Sequence, residues 1–200
     1  MTITYKAKTG IYVNMTNRCP CSCTFCLRHN GSSVFGSGSL WLEREPTVKE
    51  VCDSIDTWDL NQYEEVVFCG YGEPTERLDD LLEVAEYIRS KSDIKIRINT
   101  NGLSDLIHGE PTAHKLKGLI DTVSISLNAT NKDDYQKIVR SKFGIGSYDA
   151  MLAFTRDCVG VVPNVCMTVV DQVTSPEEQE LSRKICESLG AKLRVRPLES

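Results

Sequence analysis

No stretch of this sequence approaches the ~18 consecutive apolar residues that a membrane-spanning helix requires. The opening residues, MTITYKAKTG, have no apolar core of the kind a secretory signal carries, so a cytoplasmic location is expected. Positive charge is not in excess. The 23 Lys and Arg face 28 Asp and Glu, a formal net charge of −5, which disfavours broad attraction to nucleic acid or an anionic membrane. There is no linker, low-complexity segment or internal repeat. Hydrophobic residues make up 40% and charged residues 26%, a soluble globular composition, and 200 residues can bury a core without staples. Residues 1–200 are expected to form a single domain.

Cysteine, by contrast, is abundant. There are nine, an odd number, and four of them crowd into residues 19–26. A secreted disulfide scaffold would be shorter and would spread its cysteines over loops. Clustered thiols in a reducing compartment point to metal or redox chemistry.

Short β-rich runs alternate with helical patterns along the chain. The expected strands are Gly10–Asn14, Glu64–Cys69, Asp93–Asn99, Asp121–Leu127, Pro163–Val170 and Ala191–Arg196. Thr47 with Glu50, and Ser175 with Pro176 and Glu178, are helix starts of the capping-box type. Leu78, Leu81, Leu82, Ala85 and Ile88 form an apolar stripe at helical spacing. Further helices are expected around residues 111–117, 131–140 and 147–157. Repeated β-α units imply a parallel sheet with right-handed crossovers. An eight-unit barrel takes about 250 residues, so this length holds about six units. The expected fold is α/β: a partial, open (βα)6 TIM-like barrel of parallel strands. A flat doubly wound sheet is the alternative.

In either architecture the active site lies beyond the C-terminal ends of the strands. The segments there are NMTNRCPCSCTFCLRHNGSS, GYGEPT, NTNG and SLNAT, the polar and Gly-rich pieces of the chain, all on one rim. Cys19, Cys23 and Cys26 have the spacing C-x3-C-x2-C, and thiolates so close can wrap one iron or zinc centre. Three ligands without an equally placed fourth suit a cluster with one iron open to an exogenous ligand. Cys21, between Pro20 and Ser22, is an alternative fourth ligand but reads rather as a bystander. Zinc is the competing metal, although no second cysteine pair follows at finger spacing.

C-x3-C-x-Phe-C after a first strand, followed by G-Y-G-E-P after the second, resembles the radical SAM superfamily. The resemblance extends to the T-N-G end of the third strand and the order of the units. Size and local wording are most similar to the TatD-associated radical SAM proteins. The resemblance implies that Cys19, Cys23 and Cys26 hold three irons of a [4Fe–4S] cluster. The fourth iron would take the amino and carboxylate groups of S-adenosylmethionine (SAM). Phe25 matches an aromatic position whose backbone contacts adenine. Gly70, Tyr71, Gly72 and Glu73 match the motif that receives the SAM amino group. Asn99, Thr100 and Asn101, and then Ser126 and Asn128, match strand ends that touch the ribose or methionine. Arg140 resembles an arginine that binds the SAM carboxylate. The implied reaction is reductive cleavage of SAM to a 5′-deoxyadenosyl radical, which takes hydrogen from an unidentified substrate.

Gly70 and Gly72 permit close backbone approach and unusual dihedrals. Glu73 is an acceptor for an ammonium, or simply a helix-start acid. Ser126 and Asn128, two apart on a strand, are expected to share a face. Cys52 reads as core, and Cys69 as core before catalysis. Cys158, Cys166 and Cys186 do not have cluster spacing. His29 reads as a loop residue, and His108 and His114 as exposed. Arg194 and Arg196 must point the same way, either inward as an anion-binding pair or outward as surface charge. An iron–sulfur electron carrier without SAM turnover and a zinc-stabilised binding module are the competing functions. The implied partners are an external one-electron reductant of flavodoxin or ferredoxin type and the unidentified substrate. A functional link to a TatD-type metal hydrolase is also implied, and the open side of the barrel is expected to be closed by a partner, a second copy or a large substrate.

Overall fold

A computed structural model describes residues 1–29, 31 and 36–197. The polar segment after the first expected strand therefore lies partly outside the described residues. Seven strands form one sheet in the order β1 to β7: Thr4–Ala7, Gly10–Val13, Glu65–Phe68, Lys95–Thr100, Thr122–Ser126, Asn164–Val170 and Lys192–Arg196. The last six run parallel, each paired with its neighbour in sequence. A doubly wound sheet reverses its strand order part-way. This one never does, so the chain winds in one direction as an open partial barrel. The expected six units are present. The addition is β1, which pairs antiparallel with β2 through a tight hairpin at Lys8 and Thr9. Its alternation is only four residues long, too short to stand out from the polar start of the chain.

The helices are α1 Val48–Ile55, α2 Leu78–Lys91, α3 Ser104–His108, α4 Lys132–Val139, α5 Ser147–Val159 and α6 Pro176–Leu189. The capping boxes at Thr47/Glu50 and Ser175/Glu178 form as read, and Gly190 ends α6 in the left-handed region at φ 78°. The segment around residues 111–117 is only a single 3-10 turn, while the short α3 lacks a side-chain cap and gave no sequence signal. Among the described residues no helix is long and apolar enough to cross a membrane.

The two faces of the sheet differ in chemistry. Val66, Phe68, Ile96, Ile98, Val123, Ile125, Val165 and Met167 alternate toward the helices and form the main core with Leu81, Ala85, Ile88, Met151 and Phe154. The opposite, inner face carries a small apolar group at the β1–β3 side, Tyr5, Tyr12, Val67 and Tyr71. Beyond it most inner residues are polar, Arg97 and Asn99 on β4, Ser124 and Ser126 on β5 and Thr168 on β6, with Cys166 and Val170 among them. A barrel that filled its interior for stability alone would place branched aliphatics there. This one keeps hydrogen-bonding groups toward its axis.

Candidate functional site

The cysteine segment leaves β2 at Asn14, whose buried amide donates to the carbonyls of Thr2 at 3.1 Å and Leu40 at 2.8 Å. Further along, Ser22 N–H donates to Val139 O at 3.0 Å and Thr24 N–H to Ile138 O at 2.9 Å. Helix ends leave their last carbonyls unpaired. Here the cysteine loop itself satisfies two of them, and Lys142 N–H returns a bond to Pro20 O at 2.9 Å. The loop is thus docked on the C-terminal end of α4, a partnership between residues over a hundred positions apart that no local pattern announces.

The GYGEP segment packs directly on the other side of this loop. A Cβ at Gly70 would lie 2.0 Å from Asn14 Oδ1, and one at Gly72 would lie 2.2 Å from the Thr16 carbonyl and 2.7 Å from that of Arg18. Neither glycine has positive φ. Their role is to let two chain segments touch, and Glu73 N–H completes the contact by donating to Arg18 O at 2.8 Å. Arg77, at the start of α2, donates to Met15 O at 2.9 Å and clamps the same loop.

Glu73 is 4% exposed. Its Oε1 accepts from Thr75 N–H at 3.1 Å, Thr75 Oγ1 at 2.8 Å and Thr100 Oγ1 at 2.7 Å. Its Oε2 accepts from Asn101 N–H at 2.7 Å. Burial pushes the carboxyl above its ordinary range, against the pull of these donors. Glu73 caps the turn before α2, as a helix-start acid does, and the same carboxylate joins the rim of β3 to that of β4, so its oxygens are occupied by protein donors. Asn101 then turns its amide toward the cysteines, with Nδ2 at 3.6 Å from Cys21 Sγ and 4.0 Å from Cys19 Sγ.

Cys21 is buried, and Cys19, Cys23 and Cys26 are partly so. The hydrogen bond between the Cys19 and Cys21 thiols holds Cys19 below the usual thiol range and raises Cys21, while burial pushes Cys23 up to about 12. Tyr135, on α4 one turn before the docked carbonyls, is fully buried, and its hydroxyl has no hydrogen-bond partner. Burial raises that phenol, and Cys21, Cys23, Glu73 and Cys19 add to the effect, so the hydroxyl belongs to this neighbourhood. Sequence reading missed Tyr135, because its place on an apolar helix face looks like ordinary core.

The remaining expected residues spread around the rim. Phe25 is half-buried in the turn before Cys26. Tyr71 is buried, donates to Gly31 O at 2.8 Å and meets Trp41 edge-on at 5.2 Å. Asn99 lies on the inner face with its Oδ1 taken by Arg97 at 2.6 Å, and Arg97 in turn pairs with Glu65. The expectation that Ser126 and Asn128 share a strand face needs correction. β5 ends at Ser126, and Asn128 adopts φ 60°, a left-handed conformation that Asn tolerates. Arg140 is exposed and also left-handed, capping α4 beside the cysteine loop. Cys52 is core as expected, and Cys69 packs at the inner apolar group. His108 is exposed but bonded to Thr75 O at 2.8 Å.

A family model described as the radical SAM superfamily matches residues 13–183. The chain belongs to the radical SAM superfamily. Solved structures share its fold. One is a radical SAM methyltransferase from Sphaerobacter thermophilus, with TM-score 0.68 and 19% identity over 96% of this chain and 56% of that one. Another is SuiB from Streptococcus suis bound to S-adenosylmethionine, with TM-score 0.65 and 16% identity over 94% of this chain and 38% of that one. A third is the FeFe-hydrogenase maturase HydG from Carboxydothermus hydrogenoformans, with TM-score 0.63 and 15% identity over 96% of this chain and 44% of that one. The chain thus spans about half the length of these neighbours or less. No curated protein matches the sequence.

Membership in the radical SAM superfamily implies a [4Fe–4S] cluster and SAM. Among the described residues no three His, Cys, Asp or Glu side chains converge on a single ion. A four-iron cluster asks for something different, since its cysteines bind separate irons. The donor set suits it: partly buried thiols on a loop anchored at both ends, an asparagine amide aimed at sulfur, and an unpaired buried phenol beside them.

Proposed function

We propose that this radical SAM protein is an enzyme that holds a [4Fe–4S] cluster through Cys19, Cys23 and Cys26. When bound, that cluster and SAM supply reductive cleavage to a 5′-deoxyadenosyl radical that takes hydrogen from a substrate carbon. The observation that carries this reading is the convergence of three strand-end segments, with Glu73 bonded to Asn101 and Asn101 directed at the cysteine loop. The chain's own residues fix the loop on α4, keep its thiols out of bulk water and leave the inner barrel face polar for a cofactor and substrate. Phe25, Gly70, Tyr71, Gly72, Asn99, Thr100, Asn101, Ser126, Asn128 and Arg140 are the proposed SAM-side residues. Glu73 acts through the rim it braces.

The finer assignment is to the TatD-associated radical SAM proteins, working in a reduced cytoplasm. An external flavodoxin- or ferredoxin-type protein supplies the electron, and a second copy, a partner or the substrate closes the open side. The test is anaerobic reconstitution with iron and sulfide, addition of dithionite and SAM, and chromatography for 5′-deoxyadenosine. The wild type is expected to form it and Cys23→Ala is not. A wild type that forms a cluster yet yields none, with the substrate-free reaction run to many hours, counts against the reading.

One observation favours a second reading. Cys21 lies against Cys19, close enough to act as a fourth ligand. A cluster closed by Cys21 would serve electron transfer without SAM turnover. Cys21→Ser separates the two, because only a four-cysteine cluster loses iron on that change.

A further inference from the structure

β7 carries three cations and no acid: Lys192, Arg194 and Arg196, in a chain whose net charge is −5. Its register decides where they point. Arg194 pairs with Thr168, and Thr168 with Ser126, while Arg196 pairs with Val170. Residues paired across a parallel sheet share a face, and alternation repeats it every second residue. Leu193, the residue before Arg194, packs on the helix-side core. Arg194 and Arg196 therefore face inward, which settles the open question about this pair. They lie on the two inner positions nearest the C-terminal rim, where parallel barrels place their active sites.

Neither guanidinium has an ion-pair or hydrogen-bond partner among the described residues; Arg194 is exposed and Arg196 half-buried. The other arginine of the inner face, Arg97, is fully engaged by Glu65 and Asn99. Ser126, in the same cross-strand row as Arg194, has a hydroxyl without a partner among the described residues, and Thr168, whose hydroxyl donates to Ile125 O at 3.5 Å, lies between them. Two residues along a strand are about 6.6 Å apart, so the two forks can close on one group. A carboxylate is satisfied by a single fork. Two such forks side by side match a dianion with three free oxygens.

We propose that Arg194 and Arg196 form the substrate-anchoring site, and that the substrate carries a phosphate group. This rests on the enzyme reading above and deepens it by naming the substrate class. Anchoring at β7 would place the phosphate at the edge of the sheet far from β2, where the cysteine segment begins, which leaves the strand ends between for the reacting carbon.

The experiment is calorimetric titration of the anaerobic, reconstituted protein with inorganic phosphate at fixed ionic strength, with acetate and SAM as parallel ligands. Wild type, Arg194→Gln, Arg196→Gln and the exposed-lysine control Lys117→Gln are compared. The expected result is phosphate binding in wild type and Lys117→Gln, at least about tenfold weaker in each arginine variant, with SAM binding unchanged and acetate binding absent. Equal phosphate affinity in all four proteins, or none in the wild type, overturns the site. Acetate bound as tightly as phosphate overturns the phosphate class, and loss of SAM binding in the variants assigns the pair to the cofactor instead. Failure of the enzyme reading appears separately, as absence of 5′-deoxyadenosine from a wild type that still binds phosphate.

Discussion

Glu73 Oε2 accepts the backbone N–H of Asn101 at 2.7 Å, across 28 residues of sequence. Through that bond the segment after β3 fixes the end of β4, and Asn101 can then present its amide to Cys19 and Cys21. Removing the carboxylate leaves the N–H groups of Thr75 and Asn101 and the Thr100 hydroxyl without their acceptor, all in a buried place. Glu73→Ala is expected to cost about 3 kcal/mol, within the range for orphaned buried donors. For a chain of this length that lowers the melting temperature by roughly 6–12 °C. Calorimetric melting checks it, and a loss near zero would mean that the carboxylate braces nothing.

The two glycines of the same segment make a sharper case. Gly72→Ala drives a methyl group into the Thr16 carbonyl, which is backbone and cannot turn away. The expected cost is about 3 kcal/mol or more, with loss of iron retention because the displaced segment is the cysteine loop. Gly160→Ala is the control. Its nearest atom is the Asp157 carbonyl at 4.0 Å, and its stability should stay within about 0.5 kcal/mol of wild type. Urea midpoints of both variants, with iron content after reconstitution, provide the comparison.

These contacts also mark how far the sequence could be read. The parallel order, the six units, both capping boxes and the rim of polar segments were all visible, because hydrophobic periodicity and caps are local signals. Gly70 and Gly72 are sites of close approach, as expected, but not of unusual dihedrals, and the approaching partner is the cysteine loop, which only tertiary placement reveals. The docking of Ser22 and Thr24 on α4 was invisible for the same reason. So was the role of Tyr135, whose spacing is that of any core residue. The shared face expected for Ser126 and Asn128 failed because β5 stops one residue early and the chain turns left-handed at Asn128. The β1–β2 hairpin escaped because four residues are too few to establish an alternation.

Tyr135 gives a prediction of opposite sign. Its hydroxyl is buried without a partner, so in the metal-free protein it is a net cost. Tyr135→Phe should raise the stability of the metal-free, reduced protein by about 1–2 kcal/mol while keeping the ring contact with Tyr148, whose centroid lies 5.5 Å away. Denaturant unfolding under argon measures it. A destabilised variant would reveal a partner for the hydroxyl.

Acid should loosen the start of α1. The Arg44 guanidinium, with the Thr47 N–H, holds the Glu50 carboxyl at about 2 in the folded chain, below its ordinary value of 4.5. A depressed carboxylate stabilises the fold fully above its unfolded pKa and loses that contribution as pH falls toward the folded one. Stability should therefore drop between about pH 4.5 and 2, and Glu50→Gln should flatten that part of the profile. An unchanged slope in the variant would place the acid sensitivity elsewhere.

In the proposed site three cysteines, and not four, hold a cluster whose remaining iron is open to SAM. Electron paramagnetic resonance of the dithionite-reduced, reconstituted protein tests it most directly, recorded with and without SAM. The account predicts a reduced [4Fe–4S] signal that changes shape when SAM is added, in wild type and Cys21→Ser alike, and no such signal in Cys23→Ala. A signal indifferent to SAM, or one abolished by Cys21→Ser, would contradict it.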